Sequence, residues 1–334
     1  MIRRTIAAIA AATVVVLGTA SIARAQSDEE IILADPAFSM TFSAGYIATD
    51  LGLWQKHGLK LKTVAITGVG AINAVISGSA HFAQSSGSTF GRAAARGQKV
   101  LAIATMINRP FTQLILRKEF TTGFDPKAPL EKRAALIKGR TIAVDSINSV
   151  VHGYVRLLAA RAGINPDDIR VAPMAPNSML AAFQSKQIDG FAMSLPWTLK
   201  PVQDGEATLI ASGPDGDPAD MVPFGFNLLV TLKDTCEKKR SVCVAMGRSI
   251  KDATAFINDR PEEAFAILKK RFPTLSDDLL KAGFDELKKV TPSPPVPTKA
   301  ALENSEVYNV GAGLLKADEK LKSYDGLFTD EFVR

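Results

Sequence analysis

Four short stretches concentrate the residues best suited to holding a small molecule. They are Ser39-Met40-Thr41, Gly68-Val69-Gly70, Ser85-Ser86-Gly87-Ser88 and Ser146-Ile147-Asn148-Ser149. Each follows an apolar, strand-like run and precedes a helical one. Free N–H groups at a helix start attract an acceptor, above all an anion, and glycine lets a ligand approach the backbone. None of the four stretches contains a basic residue. A sulfonate, carboxylate or nitrate group could therefore be held by neutral N–H and O–H donors.

The competing reading of each stretch is local, because Ser, Thr and Asn are the ordinary caps of helix N-termini. Four such stretches at equivalent places favour a pocket. The expected geometry has Gly68, Val69, Gly70, Ser85, Ser86 and Gly87 presenting backbone N–H groups from one side. Ser146, Asn148, Ser149 and the helix opening at Val150 face them from the other. Pro196, Trp197 and Phe224 are candidate apolar walls, though each aromatic fits an ordinary core equally well.

Little else in the chain could do chemistry. The only histidines are His57, His81 and His152, and no pair has metal-binding spacing. His57 is expected at the surface and His81 within a strand. His152 stands just after the Ser/Asn stretch and is a possible ligand contact. Arg109, in "INRPF", reads as part of a connecting surface. There is no G-x-S-x-G elbow and no phosphate-binding P-loop, so catalysis is not expected, nor a cofactor or metal. Cys236 and Cys243 are the only cysteines. In an oxidising compartment a pair closing so small a loop should form a disulfide; the rival, a metal site, lacks nearby ligands.

The elements that must position these residues alternate. Strands are expected at 29–36, 59–66, 80–84 and 99–106. Helices are expected at 41–58, at 71–78 and at 89–95. The alternation then starts afresh, with strands at 140–145, 168–174 and 188–194 and helices at 150–162 and 178–185. Two apolar runs, "TQLILRK" (112–118) and "FGFNLLVTLK" (224–233), flank this second series and read as hinge strands. From Cys243 onward the chain is helical, interrupted by the stiff "TPSPPVP" at 291–297. Such alternation predicts an α/β fold of mostly parallel sheets flanked by helices, in two lobes with the middle one inserted. The division reads 26–108 for the first lobe, 109–234 for the second, and 235–334 for the return to the first lobe and its C-terminal helices.

The ends bound the compartment. Arg3 and Arg4, the apolar run Ile6–Ile22 and Ala23-Arg24-Ala25 make a secretory signal peptide, cleaved after Ala25; an uncleaved anchor is the alternative. Removing residues 1–25 deletes three arginines and no acids, taking the formal charge from +6 to +3. The basic balance therefore gives no support to nucleic-acid binding.

The blocks "GYIATDLGLWQKHGLKL", "GVGAINAVISGSAHFAQSSG", "IKGRTIAVDSINSVVHGYVRLLAARAGINPDDIRV" and "SMLAAFQSKQIDGFAMSLPWTLKPVQDG" carry a resemblance. In this order they are similar to the periplasmic solute-binding proteins of ABC importers. The branch is the nitrate/sulfonate/taurine type, related to the thiamine pyrimidine synthase family. The likeness runs from about residue 30 to residue 270. It implies a two-lobed, type II binding-protein fold that closes over a small, usually anionic or aromatic solute. It also implies a periplasmic location and delivery to a membrane permease, with the protein acting as a monomer. Two alternatives remain: a secreted enzyme acting on a pyrimidine-like substrate, and a sensor that docks a signalling partner. The synthases' Cys-rich segment has no counterpart here. Where many relatives carry an acid before a proline, this chain has Leu195-Pro196-Trp197.

Overall fold

The computed structural model describes residues 29–334; the expected signal peptide lies outside them. The chain first lays down four strands, β1 (Glu30–Asp35), β2 (Lys60–Ala65), β3 (Phe82–Ser85) and β4 (Val100–Ile107). Residues 108–111 then cross to a second sheet. Its strands are β5 (Thr112–Arg117), β6 (Thr141–Val144), β7 (Arg170–Pro173), β8 (Gly190–Ser194) and β9 (Ala207–Ser212). The chain returns to the first sheet as β10 (Asn227–Leu232).

The two sheets share one plan. Their strand orders are β2-β1-β3-β10-β4 and β7-β6-β8-β5-β9. In the first, β1 pairs in parallel with β2 and β3, whereas β10 runs antiparallel to β3 and β4. In the second, β6 is parallel to β7 and β8, and β5 opposes β8 and β9. The single opposed strand of each sheet is thus the one reached by crossing between lobes. The two apolar runs read as hinge strands are these two. The inner strands β3 and β8 and the edge strand β4 are buried along their whole length. The expected lobe boundary at residue 234 moves, because Asn227–Leu232 pairs within the first sheet.

Some local expectations are corrected. The helix expected over 41–58 is two, Ser43–Asp50 and Leu53–Lys56, separated by Gly52 at φ 64°. A left-handed residue cannot continue an α-helix, and glycine takes that conformation at least cost. Strand β9 has no counterpart in the sequence reading.

The C-terminal helices tie the halves together. The Lys299–Gly311 helix packs against both Gly87–Ala95 of the first lobe and Val150–Arg161 of the second. The edge of β4 is covered by the chain end, with Ala102 N–H donating to Leu327 O at 2.9 Å and Thr329 N–H to Ala102 O at 3.1 Å. Cys236 and Cys243 form a disulfide with a Cα–Cα distance of 5.6 Å, joining the Lys233–Lys238 helix to Arg240–Asp259. Among the described residues no helix is long and apolar enough to cross a membrane.

Candidate functional site

Ligands of parallel sheets sit beyond the carboxyl ends of the strands, where the connections diverge. A cavity of about 50 Å³ occupies that place, between the ends of the two sheets. That exceeds the roughly 10–15 Å³ needed to admit a water molecule. The first lobe contributes Pro36, Ala37, Ser39, Thr41 and Phe42 after β1, Gly68 after β2, and Ser85, Ser86 and Thr89 around the end of β3. Phe226 and Asn227 come from the return crossing. The second lobe contributes Asp145, Ser149, Val150 and Val151 after β6, and Met193 and Ser194 from β8.

Seven of the expected residues, Ser39, Thr41, Gly68, Ser85, Ser86, Ser149 and Val150, therefore meet at this cavity. Their roles differ from the expectation. The glycine N–H groups are already spent: Gly68 donates to Pro36 O at 2.9 Å, Gly70 to Thr67 O at 3.1 Å and Gly87 to Gly225 O at 2.6 Å. Glycine is needed at these points for packing. A Cβ on Gly68 would lie 1.9 Å from Ser146 Oγ of the other lobe, and one on Gly87 2.4 Å from Ser305 Oγ. Gly70 is crowded by the side chain of Ile66.

The side-chain oxygens divide into two sets. Ser39, Ser86 and Ser149 cap local structure, accepting from the N–H groups of Thr41, Thr89 and His152 at 3.2, 3.1 and 3.1 Å. Ser86 and Ser149 also donate, to Thr89 Oγ1 and to Asp145 Oδ1. The local capping reading thus holds for these three. Thr41 Oγ1 and Asn227 Oδ1 are different: both are buried, both line the cavity, and neither has a hydrogen-bond partner among the described residues. Ser85 and Ser194, also buried, bring two more hydroxyls to the lining. Buried polar groups are rarely left unsatisfied, so these atoms mark where an occupant's polar groups would fall.

One ionisable group faces the cavity. Asp145 Oδ1 accepts from Ser146 N–H at 2.8 Å and from the Ser149 hydroxyl. Burial raises the Asp145 pKa, against those two bonds and one from its own backbone N–H, which lower it. The lining contains no Lys, Arg or His. The cavity is thus a ring of neutral donors and acceptors with one carboxylate, rather than purely an anion cradle.

A second acid lies beneath. Asp35 is buried at the end of β1, and Gln84 Nε2 donates to its Oδ1 at 2.7 Å. Asn227 Nδ2 donates in turn to Gln84 Oε1 at 3.0 Å and to Thr41 O at 2.9 Å. This chain of bonds fixes Thr41 and Asn227 at the cavity floor. Burial pushes the Asp35 carboxyl up to about 7, against the Gln84 bond and the Arg271 charge.

The remaining expected residues do not line the cavity. Met40, Pro196 and Trp197 belong to the contact between lobes: Met40 N–H donates to Leu195 O at 3.0 Å and Trp197 Nε1 to Phe38 O at 2.9 Å. Trp197 stands edge-on to Phe38, with ring centres 6.3 Å apart. Phe224 is core, tilted against Tyr308 with ring centres 5.2 Å apart, and the wall is Phe226 two residues on. Ser146 abuts Gly68; Val69 and Asn148 line a separate groove. His152 accepts from Asn148 N–H at 2.9 Å, and burial with the Arg156 and Arg92 charges pushes its pKa down to about 4. His57 pairs with Asp252 at 2.9 Å, and His81 Nδ1 accepts from Ile32 N–H at 3.0 Å. Arg109 sits in the crossing at 108–111, away from the cavity lining.

The Gly68–Ser146 approach yields a test of closure. Gly68 has φ 57°, so any side chain there is strained as well as obstructed. Gly68→Ala is expected to hold the lobes apart and to weaken solute affinity at least about tenfold, a loss of about 1.4 kcal/mol. Small-angle scattering should show a larger radius for the variant with solute present. An unchanged radius and affinity would dismiss the contact as a closing surface.

Comparison with known proteins agrees with this architecture. A protein of Brucella abortus (strain 2308) named "Putative binding protein" is 29% identical over 227 residues, covering 67% of this chain. The chain spans 66% of that relative's length, about two thirds. A solved structure from Bordetella bronchiseptica RB50 superposes with a TM-score of 0.78 at 17% identity, covering 91% of this chain and 96% of that one. The alkanesulfonate-binding protein SsuA of Xanthomonas axonopodis pv. citri, bound to MOPS, gives 0.67 at 16% identity, covering 90% and 98%. The periplasmic nitrate-binding protein NrtA of Synechocystis PCC 6803 gives 0.68 at 16%, covering 87% and 83%. The fold is therefore that of the two-lobed periplasmic binding proteins. The NMT1/THI5-like family model matches residues 39–264, which spans both sheets and the cavity between them, and the chain belongs to that family.

Proposed function

We propose that this protein is the non-catalytic, exported solute receptor of an ABC-type importer, and that its solute carries a hydrogen-bond donor as well as an acceptor. The solute is captured between the lobes in the periplasm and handed to a membrane permease. The observation that carries this reading is the Asp145 carboxylate lining one small cavity together with the unpartnered Thr41 and Asn227 oxygens. An ammonium or amino group would satisfy the carboxylate, and the neutral hydroxyls would hold a sulfonate or carboxylate at the other end. A taurine-like aminosulfonate meets both requirements; a small amino-bearing heterocycle meets the first. A plain anion such as nitrate or bicarbonate would place like charges together unless Asp145 were protonated.

The test is a thermal-shift screen of the protein without residues 1–25, using matched pairs of solutes with and without the amino group. Sulfonates, carboxylates, amino-heterocycles, nitrate and bicarbonate form the set. One-site linkage predicts a stabilisation of about 2.7 kcal/mol at a hundredfold excess over Kd. Stabilisation by the amino-bearing members is expected. Stabilisation only by amine-free anions would reject the donor-reading role of Asp145.

A further inference from the structure

A second cavity, of about 470 Å³, opens between the lobes beside the first, and Thr89 lines both. Its walls carry three arginines. Arg92 and Arg96 come from the first lobe, one helical turn apart; Arg156 comes from the second lobe. Arg92 is only 5% exposed. Its guanidinium donates to Ser88 Oγ at 3.1 Å, Asn309 Oδ1 at 3.0 Å and Asn148 O at 2.5 Å, all neutral acceptors. Arg156 donates to Ala312 O at 2.7 Å and pairs with Asp167 at 2.8 Å, whose side chain is 74% exposed.

A buried charge is normally paired, because desolvation is costly. Here three cations line one groove, and among the described residues the only carboxylate bonded to any of them is the exposed Asp167. The local field is felt by the neighbours. Burial, with the Arg96 charge adding to it, lowers the Arg92 pKa to about 10 despite the opposing effect of Tyr308. A guanidinium has five N–H donors, and Arg92 spends three on the bonds above, leaving others for an occupant of the groove.

We infer that this groove is a second, separate anion site, which takes a tetrahedral oxyanion of the phosphate or sulfate class between Arg92, Arg96 and Arg156. Such an ion would contact both lobes at once, because Arg156 stands on the second and the other two on the first. Bound there, it favours the closed arrangement, and by linkage it tightens the solute site while solute tightens the anion. The inference rests on the arginine geometry and not on the nature of the solute in the first cavity.

The experiment is a titration of inorganic phosphate into the protein without residues 1–25, with chloride holding the ionic strength constant. Thermal shift and calorimetry are the readouts. Saturable stabilisation by phosphate, not reproduced by chloride, is expected. Arg96→Gln and Arg156→Gln should each weaken phosphate at least about fivefold, and Asp167→Asn, which removes the competing carboxylate, should strengthen it. Arg96 is exposed, so its variant leaves the buried bonding of Arg92 in place. No saturable phosphate effect, or a phosphate affinity in both arginine variants equal to that of the parent, overturns the site.

Discussion

Asp35→Asn is expected to stabilise the protein by about 4 kcal/mol at pH 8 and to change little at pH 4. The Asp35 carboxyl is pushed from its ordinary 3.8 up to about 7, chiefly by burial. Its folded-state pKa lies above its unfolded one, so folding favours the protonated form. The penalty is absent below about pH 4, grows as the pH rises, and is complete above about 7. Each pKa unit corresponds to about 1.36 kcal/mol. Asparagine keeps an acceptor for Gln84 Nε2 and removes the charge. Denaturant midpoints for both proteins at pH 4 and pH 8 give the answer. A variant no more stable than the parent at pH 8, or a difference of equal size at both pH values, would show that Asp35 is ionised at little cost.

Asp145→Asn is expected to weaken an amino-bearing solute about 10–100-fold at pH 8, because a hydrogen bond to a charged group contributes about 1.5–3 kcal/mol. The amide oxygen can still accept from Ser146 N–H and Ser149, so the loop should keep its shape. The sign of the pH dependence follows from the raised pKa of Asp145. In the parent, affinity for a cationic group should rise as the pH climbs through that pKa, and in the variant this rise should vanish. Calorimetric titration across pH 5–8 reads both effects. Tighter binding in the variant would mean that the solute presents an anion to this side of the cavity.

The fold was legible because its signals are periodic. Strands such as β1 and β8 have apolar centres, Ile31–Ala34 and Phe191–Met193, and the restart of alternation after "TQLILRK" marks the second sheet. Gly52 hid the break in the first helix, since one glycine inside a helical pattern does not by itself announce a left-handed turn. At the site, Ser-rich junctions after β1, β3 and β6 contribute Ser39, Ser86 and Ser149 to the cavity lining. Glycine was misread there: a residue without a side chain looks the same in sequence whether a ligand or another element approaches it. Ser305, far along the chain, decides the case of Gly87.

Asp145 was readable as an acid closing the "TIAVD" strand, and Asn227 as a polar residue inside an apolar run. Neither stands in a Gly or Ser cluster, so neither drew notice as a ligand contact. Trp197 and Phe224 had the right chemistry for a cavity wall, but tertiary packing assigned one to the lobe contact and the other to the core. Phe226 and Met193 took the wall instead.

The central claim is that a solute occupies the cavity between the sheets and completes hydrogen bonds the protein leaves open. The most direct measurement is calorimetric titration of the double variant Thr41→Val, Ser194→Ala, beside its solute-free melting curve. One hydroxyl comes from each lobe, both line the cavity, and the Thr41 hydroxyl has no partner among the described residues. Removing them should therefore leave the solute-free protein at least as stable as before. Each lost bond to solute contributes about 0.5–1.5 kcal/mol, so affinity should fall by roughly 5- to 100-fold for the pair. Unchanged affinity would contradict the account, and so would a loss matched by a lower solute-free melting temperature.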